Sequence, residues 1–150
     1  MIIPDVNALV YGFRPNTTFH QLARDVLVTF RDRGELVVLV EVAASFLRIV
    51  TDRRLSADPD EPAAGREFIE ALSFAGRFLR EPNRSRWERL MQLSEQMTIA
   101  GPLVPDALLA ATCQDLNASI ITADRDFLRF PGTRVKLLTP AGLIDHVVVS

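Results

Sequence analysis

The chain has one cysteine, Cys113, among 150 residues. A single thiol cannot form an internal disulfide, and the cytoplasm is the expected compartment. Cys113 falls in Leu108-Leu109-Ala110-Ala111-Thr112-Cys113, a run that reads as buried helix, so a structural thiol is expected and not a nucleophile. Long apolar runs are missing: none reaches about 18 residues, which excludes a helical membrane span. The chain enters a strand at once, without a charged leader and cleavage site, so no signal peptide is expected. Internal repeats and low-complexity segments are absent as well. Lysine is nearly absent, with Lys136 alone. The basic residues are therefore arginines, which can grip phosphate with a bidentate fork. They cluster at Arg48, Arg53 and Arg54 and again at Arg77, Arg80, Arg84, Arg86 and Arg89. The net charge of −2 argues neither for nor against a nucleic-acid partner.

What is present is apolar material, 48% of the chain, enough for one domain over residues 1–150 with a full core. Strand and helix patterns alternate. Residues 1–5 read as a strand and 7–13 as a helix. Thr17 or Thr18 is a plausible cap for an amphipathic helix over 19–33, with Gly34 as its stop. A second strand is expected over 36–40, and helices over 41–51, 63–74, 85–97 and 106–116. Trp87, Leu90, Met91 and Ser94 mark one face of the 85–97 helix. Short strands are expected at 77–80, 119–122 and 135–138, and the apolar tail at 147–149 suits an edge strand or a partner contact. Alternating βα units predict a small, mainly parallel sheet with helices on both faces.

Four acids stand where apolar runs stop: Asp5, Glu41, Asp106 and Asp124. Each alone could be a helix cap or a first-turn acid favoured by the helix dipole. Their recurrence at strand ends and helix starts is the informative feature. The carboxyl ends of parallel strands share one edge, where open α/β sheets bind ligands. Carboxylates gathered there repel one another, and a hard divalent cation with oxygen ligands is the ordinary remedy.

The segment Met1-Ile2-Ile3-Pro4-Asp5-Val6-Asn7-Ala8-Leu9-Val10-Tyr11 resembles the N-terminal motif of PIN-domain ribonucleases, in particular the VapC toxins of bacterial toxin–antitoxin pairs. The likeness continues through Phe46-Leu47-Arg48-Ile49-Val50-Thr51-Asp52-Arg53-Arg54, Asp106-Ala107-Leu108-Leu109-Ala110-Ala111 and Ile121-Thr122-Ala123-Asp124-Arg125-Asp126-Phe127. Pro105 stands where family members often have Thr, and Pro102 where Asn is frequent, so the loop that sets Asp106 is open to a shift. The resemblance implies a three-layer α/β/α sandwich of the PIN type. It matches Asp5, Glu41, Asp106 and Asp124 to an acidic quartet that holds Mg²⁺ or Mn²⁺, with Asp126 sometimes close to the metal.

The expected activity is metal-dependent endoribonuclease cleavage of structured RNA, at loops of tRNA or rRNA, by phosphodiester hydrolysis. In that reading Asp5, Asp106 and Asp124 are metal ligands, and Glu41 orients or deprotonates the attacking water. Asn7, Thr122 and Asp126 support them. Arg48, Arg53, Arg54 and Arg84 are candidates for backbone phosphate contacts. A homodimer and a VapB-like antitoxin partner are further implications. Two other classes bear on the same residues. A receiver-type signalling domain would want an adjacent acidic pair early and a lysine late, whereas Asp5 is alone in its segment. A non-catalytic PIN-like domain that only binds RNA or protein shares every motif.

Overall fold

A computed structural model describes residues 1–52, 54–55, 59–73 and 84–149. The strand expected at 77–80, together with Arg53, Arg77 and Arg80, lies outside the described residues. The elements run β1 (Ile2–Pro4), α1 (Val6–Phe13), α2 (His20–Asp32), α3 (Val40–Thr51), α4 (Pro62–Ser73), α5 (Arg84–Gln96), α6 (Leu103–Asp115) and β2 (Ser119–Thr122). A short 3-10 helix (Arg125–Arg129), β3 (Arg134–Thr139) and β4 (Gly142–Val147) complete the order.

The sheet is ordered β1-β2-β3-β4. The first three strands are parallel and β4 is antiparallel at the edge. Ile3 lies opposite Ile120, and Ile120 opposite Val135; all three are buried. One register step past Pro4 and Ile121 come Asp5 and Thr122, so the pairing itself sets these two side by side. The helices form two packed groups. α1 packs on α2 and α3, and α4 closes against α2 and α3, whereas α5 packs on α6. This is the three-layer α/β/α sandwich expected from the motifs.

Close packing fixes α1. Phe13, Phe46 and Phe68 meet at centroid distances of 5.3 to 5.5 Å and join α1, α3 and α4. A Cβ on Gly12 would come within 2.7 Å of a Leu27 methyl, so the α1–α2 approach requires a residue without one. Gly34, at φ +67°, ends α2 in the left-handed region, as does Asn117 at φ 53° after α6.

Three expectations are corrected. The run over 36–40 is not a strand: Leu36 makes one parallel bridge to Ile2, and Val40 already opens α3. Leu36 to Leu39 are all buried, so hydrophobicity reports burial there and not ladder pairing. The α2 N-terminus has no side-chain cap, because the Thr17 hydroxyl donates to the Tyr11 and Arg14 carbonyls. On α5 the buried face is Arg86, Leu90 and Leu93, whereas Trp87 is 59% exposed.

Candidate active site

Asp5 leaves the end of β1 as the N-cap of α1. Its Oδ1 accepts from the Val6 amide at 2.5 Å, and its Oδ2 accepts from the Thr122 hydroxyl at 2.9 Å. The same hydroxyl oxygen accepts from the Asp124 amide at 2.9 Å. Thr122 is fully buried and thus ties the ends of two adjacent strands together. Asp124 in turn caps the 3-10 helix, its Oδ1 accepting from the Asp126 amide at 2.8 Å.

Asp5 is 5% exposed, an expensive place for a charge. Burial pushes its carboxyl up to about 6, against the lowering pull of Thr122 and the Val6 and Asn7 amides, and the charge of Asp124 adds to the rise. Asp106 is also pushed up to about 6, first by burial and then by the charges of Asp5, Asp124 and Asp126. The four aspartates are therefore close enough for their charges to act on one another. Asp106 lies inside the first turn of α6, not at its cap, because the helix starts at Leu103 behind Pro102. Pro105 falls where helix N–H groups have no internal partner, so its missing donor costs nothing.

Glu41 sits in the first turn of α3. A pocket of about 110 Å³ is lined by Asp5, Glu41, Ser45, Asp106, Pro105 and apolar neighbours. The second acid thus joins the first and third although its expected strand does not exist. Glu41 is held by a residue that sequence reading missed: Arg86 Nη2 donates to its Oε1 at 2.5 Å. No local pattern announces Arg86, which counts there only as one more arginine of a basic helix.

The remaining candidates lie further out. Asn7 is exposed in the first turn of α1, and Asp126 is exposed and faces Arg129 at 3.6 Å. Arg48 is exposed on α3, seven residues after Glu41 and so on the same helix face, about 10 Å along. Arg54 forks onto Asp52, and Arg84 pairs with Glu88 at 2.8 Å. Such exposed pairs are weak and exchange readily. His20 is half-buried, with Nδ1 2.9 Å from the Tyr11 carbonyl oxygen, and His146 lies on β4. Cys113 is buried, and burial pushes its thiol far up, as a structural thiol requires.

The donors around Asp5 are all hard oxygens, the kind Mg²⁺ takes. Among the described residues, no three acidic, imidazole or thiol side chains enclose an ion-sized space as they stand. Mg²⁺ does not require such a cage: it is commonly held by one or two carboxylates and keeps several waters. A buried Asp5 beside a half-buried Asp106 whose charge repels it fits a hydrated cation of that type.

A mostly parallel sandwich with a buried aspartate after β1, and further acids at the starts of α3 and α6 and after β2, defines the class. The PIN domain family model matches residues 2–132, and the chain belongs to that family. It is similar to ribonuclease VapC43 of Mycobacterium tuberculosis, 34% identical over 132 residues, 87% of this chain and 90% of the relative. Ribonuclease VapC25 of the same organism is 32% identical over 138 residues, 89% of this chain and 96% of the relative. The fold matches a chain in the crystal structure of VapBC2 from Rickettsia felis bound to a DNA fragment from their promoter. That match has a TM-score of 0.68 at 15% identity and covers 91% of this chain and 98% of the other. No helix among the described residues is long and apolar enough to cross a membrane.

Proposed function

We propose that the chain is a Mg²⁺-dependent endoribonuclease of the toxin type, restrained by a VapB-like antitoxin. The carrying observation is the buried Asp5 carboxyl, held by Thr122, lining one pocket with Asp106 and lying within the electrostatic reach of Asp124. The curated relatives named as VapC ribonucleases support the reaction class, and the Rickettsia felis complex supports the kind of partner.

Asp5 and Asp106, with Asp124, are the residues that would hold the cation; Mn²⁺ has the same donor preference. The ion supplies Lewis acidity toward a phosphate and toward a water that attacks it. Everything else falls to the chain. Thr122 fixes one Asp5 oxygen, and the Val6 amide fixes the other. Glu41, half-exposed at the pocket, orients the water and takes its proton. Asp126 adds negative potential at Asp106, and Asn7 stands exposed two residues after Asp5. The exposed guanidinium of Arg48, with Arg53, Arg54 and Arg84, tracks the RNA backbone. A single-stranded loop of a structured RNA suits the site, since its bases can be splayed out and its backbone brought to the acids. A homodimer would set two such pockets along one groove.

The test is incubation of purified protein with total RNA, with Mg²⁺ or with a chelator, and mapping of new 5′ ends. The expected outcome is discrete new ends with Mg²⁺ that vanish with Asp5→Asn. Identical ends from the wild type and Asp5→Asn would refute catalysis at this site. RNA retained but uncut would favour the non-catalytic PIN-like reading.

A further inference from the structure

Arg86 is the one buried arginine among the described residues, 5% exposed on α5. Leaving a guanidinium in such a place costs several kcal/mol unless partners meet its donors. Two of those partners lie on different helices. Nη2 donates to Glu41 Oε1 on α3 at 2.5 Å, and Nε donates to Thr112 Oγ1 on α6 at 2.9 Å. The Thr112 hydroxyl spends its own proton on the Leu108 carbonyl at 2.7 Å. It therefore has only lone pairs to offer and must receive from Arg86. The relay from Leu108 through Thr112 to Arg86 leaves the guanidinium plane little freedom, and that plane sets where Glu41 points.

The two ends of this relay differ in burial. The Arg86 side chain is 6% exposed and the Glu41 side chain 44%. Glu41 thus keeps an open side toward the pocket that it shares with Asp5 and Asp106. A lone first-turn glutamate on a helix would sample several rotamers. Here one oxygen is pinned by Arg86, and the side chain lines the pocket.

We infer that Arg86 is a positioning residue for the reaction, which holds Glu41 by one carboxylate oxygen so that the other faces the attacking water. The inference rests on the ribonuclease reading and goes beyond it, since Arg86 belongs to none of the acidic motifs. Arginine suits the role better than lysine because its planar fork reaches two acceptors in fixed directions. Thr112 belongs to the same device although it lies on α6 and Glu41 on α3.

The experiment is a double-mutant cycle on cleavage of a fluorogenic RNA, with Arg86→Gln, Glu41→Gln, the double variant, Arg86→Lys and Thr112→Val, each checked by urea melting. Loss of an outer-shell partner typically lowers activity about 10- to 100-fold, and Arg86→Gln should lower kcat by that much with KM for RNA little changed. Arg86→Lys should recover part of the loss, and Thr112→Val should reproduce a fraction of it while preserving volume. In the Glu41→Gln background, Arg86→Gln should cost nothing more. Equal loss in both backgrounds, or a loss no larger than the unfolded fraction, overturns the inference. A wild type inert toward RNA would instead refute the ribonuclease reading. The clamp is then judged by NMR alone: an Arg86 Nε–H protected from exchange and shifted in both Thr112→Val and Glu41→Gln sustains it, and a rapidly exchanging one overturns it.

Discussion

Replacing Asp5 by asparagine should abolish cleavage and at the same time stabilise the fold. The geometry admits the change. Asparagine keeps an oxygen for the Val6 amide, and its NH₂ can donate to Thr122 Oγ1 once that hydroxyl turns its own proton away from residue 5. In the wild type, burial raises the carboxyl from 3.8 to about 6. A raised carboxyl binds its proton more tightly when folded, so this contribution to stability is fully present below the unfolded pKa and is lost as pH rises through about 6. At about 1.4 kcal/mol for each tenfold, the rise corresponds to about 3 kcal/mol at pH 8. Asp5 also raises Asp106, so removing its charge relieves a second group in the same direction. For a domain of this size, about 3 kcal/mol is roughly 6–12 °C in melting temperature. Differential scanning calorimetry in a chelator, at pH 8 and again at pH 4, reads the effect. Asp5→Asn should melt higher at pH 8, and the gap should close by pH 4. A variant no more stable than the wild type at pH 8 would show that no charge is held in a costly place, and the physical basis of the site would be gone.

Three other outcomes follow from the same groups. Mg²⁺ at about 100 times its Kd should stabilise the wild type by about 2.7 kcal/mol, read as a rise in melting temperature that Asp106→Asn diminishes; a flat titration contradicts it. Cleavage should fall as pH drops through about 6, because Asp5 and Asp106 both take up protons there. More Mg²⁺ should move that midpoint lower, since the ion favours the ionised carboxylates, and a midpoint indifferent to Mg²⁺ would separate the acids from the metal. Arg48→Ala should weaken RNA binding more at low than at high salt; equal loss at both removes Arg48 from phosphate contact.

Much of this arrangement is legible along the chain, for local reasons. Asp5 is visible because a strand, a cap and a helix start coincide within three residues, and Asn117 and Gly34 are visible because positive φ restricts residue choice. The 36–40 run misleads because its buried part, residues 36 to 39, has the same composition as a central strand. Asp106 lies within the first turn of α6 and not at its start, because a proline at the cap and another in the opening turn are both tolerated by a helix. Arg86 and Trp87 exchange expected places for a different reason. Propensity places tryptophan inside and arginine outside, and it takes tertiary partners, among them a carboxylate 45 residues away and a threonine 26 residues away, to make the opposite arrangement stable. The site's acids are thus written in local punctuation, whereas the group that orients one of them exists only in the tertiary contact.

The central claim is that Asp5 and Asp106 converge to bind a divalent cation. Anomalous diffraction from crystals soaked in Mn²⁺ tests it most directly. The account predicts a Mn²⁺ peak in contact with Asp5, with Asp106 or Asp124 as a second protein ligand. Saturating Mn²⁺ with no peak between these carboxylates, or a sole ion bound elsewhere on the molecule, would contradict it.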